Sequence, residues 1–171
     1  MVFVKELMAP CGINCGVCSA YLRTKNTCAG CLSIGKITVN HCTSCSIKFC
    51  EEHKTAEFTY CYECKKFPCV KIRKIHKRYS GKYHLDLIGN SLMIRDQGAM
   101  AFLAAETKKW TCRNCGAVLC VHKDICMKCG YKYIEEAGFT NQVREKPDIL
   151  SFSEDIIEKH PNKALLEERK E

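Results

Sequence analysis

Between residues 70 and 109 the apolar positions recur at helical spacing, and nowhere else in the chain is the period so clear. Ile72, Ile75 and Tyr79 fall at i, i+3 and i+7, with Lys71, Arg73, Lys74, Lys77 and Arg78 between them, which predicts an amphipathic basic helix. Pro68 is placed to occupy its first turn and Gly81 to end it. A second helix is expected over 85–97, where Leu85, Ile88 and Leu92 share a face before Gly98. A third is expected over 99–109, through Met100, Phe102, Leu103 and Ala104. Upstream, the apolar pieces of residues 1–70 are short and interrupted by Cys, Gly and Asn, a pattern of knuckles, hairpins and loops rather than long helices.

Downstream, WTCRNCGAVLCVHKDICMKCGYKY has the pattern of a zinc ribbon, two knuckles joined by a hairpin arm, with Gly116 and Gly130 directly after each cysteine pair. Glycine there permits the positive φ that a knuckle turn needs. Beyond Gly138 the chain turns polar. Ser151 and Glu154 form a capping-box pattern opening a short helix through Ile156 and Ile157 that Pro161 ends. The expected organisation is a cysteine-rich metal-binding module at 1–70, a helical middle at 71–109, a zinc ribbon at 110–135 and a polar tail with a short helix at 136–171. The fold class that follows is a small α+β fold stapled by metals.

Composition explains why staples are needed. Sixteen of 171 residues are cysteine, and the hydrophobic share of 46% includes them, so the apolar core is thin. A structural zinc supplies an apparent ~10–16 kcal/mol of folding energy in small zinc-finger peptides, more than such a core adds. The opening MVFVKELMAPCG lacks the charged and apolar regions of a secretion signal, and no apolar run reaches membrane-spanning length. The expectation is a reduced, cytoplasmic protein with free thiols rather than disulfides. The formal charge of +8 counts every thiol as neutral. A zinc held by four thiolates carries −2, so about three or four such centres remove most of the basic excess. The remainder is uneven: Lys65 to Lys82 is basic, whereas residues 145–171 hold five Lys/Arg against eight Asp/Glu.

Two cysteine sets share one spacing: Cys28-x2-Cys31-x10-Cys42-x2-Cys45 and Cys112-x2-Cys115-x10-Cys126-x2-Cys129. Each supplies the four thiolates of a tetrahedral site. In the second, Cys120 and His122 lie on the arm, where a fifth ligand has no place, and are read as packing residues. The N-terminal cysteines Cys11, Cys15, Cys18, Cys28, Cys31, Cys42, Cys45, Cys50, Cys61, Cys64 and Cys69 admit several partitions. Cys15/Cys18 pairs with Cys28/Cys31 in one, and Cys42/Cys45 with Cys61/Cys64. A cross-braced order fits equally, and adding His41 or His53 to the eleven fills three sites.

The rival to zinc is an iron–sulfur cluster in this module, which also takes cysteine thiolates. Cys11-x3-Cys15-x2-Cys18 has the spacing of the triad in radical S-adenosylmethionine enzymes, but the barrel that chemistry needs is replaced here by more cysteines. A cysteine nucleophile would need a base beside it, and Cys69 with His76 is the best pair. The spacing shared by Cys64-x4-Cys69 and Cys45-x4-Cys50 argues instead for structural roles. No paired carboxylates, phosphate loop or Ser-His-Asp arrangement stands out, so no catalytic residue is assigned and an enzyme is not favoured. The basic helix with Tyr79 and Tyr83 keeps nucleic-acid binding open beside a protein partner, with a solvated helix face as its plainer explanation.

In order, CGINCGVCSAY at 11–21, CAGC at 28–31, CSIKFC at 45–50 and YCYECKKFPC at 60–69 resemble the uncharacterised, cysteine-rich family called domain of unknown function 3795. The later KKWTCRNCGAVLC and CMKCGY resemble its members that carry a zinc ribbon after a helical middle, so the likeness spans residues 9–133. Lys48 stands where that family is expected to carry arginine, and Cys42 is less clearly one of its positions. The resemblance implies a prokaryotic metal binder with no established activity. It implies that Cys11, Cys15, Cys18, Cys28, Cys31, Cys45, Cys50, Cys61, Cys64 and Cys69 are family positions, and it favours pairing Cys45 with Cys50 over the first x10 set.

Overall fold

The computed structural model describes residues 3–55 and 58–133. The Ser151 capping box, the helix through Ile156 and the rest of the polar tail lie outside them. Among the described residues five α-helices run in order: α1 Ser19–Leu22, α2 Asn40–Thr43, α3 Glu51–Thr55, α4 Val70–Tyr83 and α5 Leu87–Lys109. The described residues are helical with little strand. The β part of the expected α+β class does not form as strands among the described residues, where pairing is limited to three isolated antiparallel bridges, Met8 with Asn14, Thr111 with Val118 and Ile125 with Lys132. Two of these close directly over a cysteine pair, which bends the chain again before a ladder can extend. No described helix is long and apolar enough to cross a membrane.

The basic helix forms two residues later than expected. Cys69 is its N-cap and its carbonyl accepts from Arg73 N–H at 2.9 Å, so Pro68 stands ahead of the cap rather than in the first turn. Gly81 does not end it. The chain leaves at His84, in the left-handed conformation at φ 50° and ψ 36°, with the His84 and Leu85 amides both turned back to the Tyr79 carbonyl. Leu85, expected inside a helix, instead anchors this turn in the core at 1% exposure. A Cβ on Gly81 would meet nothing within 4 Å. Gly81→Ala should therefore stabilise the protein by about 0.5–1 kcal/mol, read as a higher urea midpoint at unchanged slope.

Asp86 caps α5, its carboxylate accepting from the Gly89 amide at 2.7 Å. The two helices expected on either side of Gly98 are both present, and at that glycine φ is 85° and ψ 162°, a conformation glycine adopts without penalty. The buried stripe is Leu87, Ser91 and Ile94 before the break, then Phe102, Leu103 and Glu106 after it. Met100 and Ala104, expected to face inward, are exposed.

The segment from Ala9 to Ser19 ties the fold together. A turn closed by Ala9 N–H to the Ile13 carbonyl at 2.7 Å presses Gly12 onto the start of α5. A Cβ there would lie 2.5 Å from both the Leu87 carbonyl oxygen and Ser91 Oγ, at a φ of 84°. Gly12→Ala should cost more than about 2 kcal/mol, because left-handed strain adds to a backbone clash, and thermal unfolding would measure it. Asn14 then reaches across the chain: its Nδ2 donates to Glu106 Oε2 at 3.1 Å in the interior, and its Oδ1 accepts from Gly16 N–H at 2.9 Å. Burial pushes the Glu106 carboxyl up, against the opposing influence of Lys109 and Asn14. The Val121 amide donates to Val17 at 2.8 Å and that of Cys61 to Pro10 at 2.9 Å, so this segment touches both cysteine-rich ends.

Candidate metal centre

After α5 the chain makes the same cysteine loop twice, fourteen residues apart. In the first, Cys112 N–H donates to Ala117 at 2.8 Å and Gly116 N–H to Cys112 at 2.8 Å. In the second, Cys126 N–H donates to Tyr131 at 2.8 Å and Gly130 N–H to Cys126 at 2.9 Å. The bridges Thr111–Val118 and Ile125–Lys132 occupy matching places, and Gly116 and Gly130 carry positive φ of 69° and 74°. The repeat aims four sulfurs at one point.

Cys112 Sγ lies 3.7 Å from Cys129 Sγ, and Cys115 Sγ 3.7 Å from Cys126 Sγ. All four ligand atoms fall within 4.8 Å of one another, a set that could hold a metal ion. A tetrahedron with Zn–S bonds of ~2.3 Å has edges of ~3.8 Å, so the sulfurs stand at single-ion spacing. Cys112 and Cys126 are buried at 2% and 1%, with Cys115 and Cys129 on the more open side. The Cys129 thiol is brought down to about 7, first by a hydrogen bond from Asn114 and then by the neighbouring thiols. The Cys115 thiol is pushed up to about 12 although the Ala117 amide works against this, because desolvation and the other three sulfurs resist a second charge. Four thiolates in this space require a cation between them. Asn114 is a contributor that spacing could not reveal, since its counterpart in the second loop is Lys128.

Around the set, Trp110 and Tyr133 are buried at 1% and 2%. The Tyr133 hydroxyl lies 2.6 Å from the carbonyl oxygens of both Cys120 and Lys123, fixing the link between the loops. Cys120 is buried outside the four-sulfur set. His122 accepts from Ser19 N–H at 3.3 Å through Nδ1, with the Tyr83 ring 4.9 Å away, and burial holds its basicity down.

The N-terminal cysteines meet in a different way. Among the described residues no further three ligand atoms come within the same 4.8 Å, so neither Cys28/Cys31/Cys42/Cys45 nor any other N-terminal set closes at single-ion spacing. Cys31 is flanked by Cys15 and Cys42, with Cys45 also near; the contact with Cys15, and then burial, push its thiol up to about 12 against the opposing hydrogen bond with Cys42. Cys11, pushed up to about 12 chiefly by burial, faces Cys31 and Cys45. Cys18 is neighboured by Cys42 and Cys120, so the residues of the Cys11-x3-Cys15-x2-Cys18 spacing have divergent surroundings. Cys61 lies among Cys11, Cys69, Cys50 and Cys64, with His53 Nε2 3.4 Å from its sulfur. His76, two turns beyond Cys69 on α4, faces Asp86 Oδ1 at 3.5 Å.

No curated protein and no solved structure matches this chain. A family model described as protein of unknown function (DUF3795) matches residues 7–74, which takes in the eleven N-terminal cysteines and ends within α4, short of the four-sulfur set. Residues 7–74 thus match the model of the family that the cysteine pattern resembles.

Proposed function

We propose that this protein binds zinc at Cys112, Cys115, Cys126 and Cys129, in a zinc ribbon, and serves as a binding or assembly module for another protein. The observation that carries the reading is the pair of 3.7 Å sulfur–sulfur distances inside a set spanning 4.8 Å. Four protein thiolates complete a tetrahedron and leave no position for a substrate or an activated water, which is the arrangement of a structural rather than a catalytic zinc. Support for a protein partner comes from large apolar side chains standing in solvent: Val70 is 70% exposed, Met100 69% and Met127, between the last two cysteines, 67%. Affinity purification of the full chain beside Met127→Asp and Val70→Asp variants tests this. Specific partners captured by the wild type and lost by the variants support the module, whereas identical capture by all three would remove it.

A second reading, nucleic-acid binding, is favoured by α4, where Lys71, Arg73, Lys74, Lys77, Arg78 and Lys82 are all exposed. It requires an affinity that falls steeply with salt and is abolished by charge reversal at Lys74 and Arg78. Retained binding in that double variant would point elsewhere.

A further inference from the structure

The thiols around Cys61 have surroundings unlike those of the C-terminal set. Cys61 is itself buried at 7%, and Cys50, Cys64 and Cys69 are half-buried around it. Three of the four have a basic side chain or an N–H within 3.5 Å, and the fourth stands at a helix N-terminus. Lys71 Nζ lies 3.5 Å from Cys50 Sγ, and His53 Nε2 lies 3.4 Å from Cys61 Sγ. The Lys66 amide donates to Cys64 Sγ at 3.5 Å. Cys69 is the N-cap of the fourteen-residue α4, where unpaired backbone amides favour negative charge. Such partners allow four thiolates to coexist, as they do around a metal centre.

Spacing then separates the two kinds of occupant. A single tetrahedral ion needs sulfurs at ~3.8 Å, which the C-terminal set meets. No three ligand atoms of this second group lie within 4.8 Å of one another. In a four-iron cluster each thiolate bonds a different iron, so the sulfurs stand apart by the width of the cluster. Cys11 also borders Cys61, but its other neighbours are Cys31 and Cys45, which places it with the separate group around Cys31.

We infer that Cys50, Cys61, Cys64 and Cys69 bind a four-iron iron–sulfur cluster, one thiolate to each iron, in a centre distinct from the C-terminal zinc site. The N–H and ammonium contacts to the sulfurs stabilise the reduced, more negative cluster and so raise its potential. The test is iron, acid-labile sulfide and zinc content of the full chain, produced with iron and purified without oxygen. About four irons and four sulfides per chain are expected, with visible absorption that bleaches on adding dithionite. Cys61→Ser and Cys69→Ser should lose the iron, while Cys11→Ser and Cys112→Ser keep it. Zinc in place of iron, or iron that survives both Cys61→Ser and Cys69→Ser, overturns the assignment. Should those variants fail to fold, Lys71→Met at the surface supplies the second arm. It should keep the cluster and shift its midpoint potential downward, and an unchanged potential overturns the placement. Zinc measured on the same samples reports the C-terminal centre separately, so failure here is distinguishable from failure of the zinc reading.

Discussion

Withdrawing the metal from Cys112, Cys115, Cys126 and Cys129 should unravel residues 110–133, with an effect larger than that of any single core substitution. The apparent energy of a structural zinc, ~10–16 kcal/mol in small finger peptides, is the energy that holds such a segment folded. The segment's strand pairing is limited to the two isolated bridges, so its loops rely on the sulfur set and on the side chains it buries. Without the cation, the Cys115 thiol resists ionising beside the other three sulfurs, which opposes a second negative charge in the set. Trp110 is the chain's single tryptophan, is buried at 1% and lies two residues before Cys112, so its fluorescence reports the event directly. A strong zinc chelator, or Cys126→Ser, should move the emission to the red and expose the segment to protease. Added zinc should reverse the first and not the second. Cys120→Ala is expected to keep both zinc and emission, and loss of zinc there would show that the ligand set is wrongly drawn.

Trp110→Ala should be the most damaging change that removes no ligand, destabilising the protein by about 3–5 kcal/mol. Trp110 lies at the junction of α5 and the cysteine loops, where its backbone amide donates to the Glu106 carbonyl at 2.8 Å and its carbonyl accepts from the Leu119 amide at 2.8 Å. Truncation leaves a cavity among residues held from opposite directions, by the helix on one side and the sulfur set on the other, so the site has little freedom to collapse. Denaturant unfolding of the zinc-loaded protein, followed by circular dichroism, would measure it. A loss below about 1 kcal/mol would mean that the loops are held by the metal alone.

Much of this was legible because some signals are local. The helical period around Ile72, the break at Gly98 and the glycine after each of the last two cysteine pairs depend on residues a few positions apart. The grouping of the four C-terminal sulfurs was legible for the same reason, since one loop geometry is simply repeated. The bounds of α4 were less so: Cys69 serves as its cap in place of a hydroxyl or carboxylate side chain, and the helix passes through Gly81 because Leu85 beyond it has a core site to fill. The inward face of α5 was displaced because Leu87, Ser91 and Ile94 are chosen by the close approach of Gly12, a contact across the chain. Asn14 and Glu106 meet over a separation of 92 residues, and no local pattern announces such a pair. The grouping of the N-terminal cysteines was illegible for a related reason. Every Cys-x-x-Cys turn looks alike in sequence, and only the fold decides that Cys61 lies among Cys11, Cys50, Cys64 and Cys69 while Cys31 lies beside Cys15 and Cys42.

Charge has to be read together with these centres. The net +8 becomes much smaller once thiolates are counted, and Lys71 shows where part of the basic excess goes, with its ammonium 3.5 Å from Cys50 Sγ. The exposed cations of α4 beyond them are what the nucleic-acid reading has left to work with.

The central claim, one zinc held by four cysteine sulfurs after α5, is tested most directly by zinc K-edge X-ray absorption on the purified full chain and on Cys112→Ser. The wild type should show a shell of four sulfurs at about 2.3 Å with no nitrogen or oxygen, and the variant should lose that zinc. A wild-type shell containing nitrogen or oxygen, or an unchanged all-sulfur zinc signal in Cys112→Ser, would contradict the account.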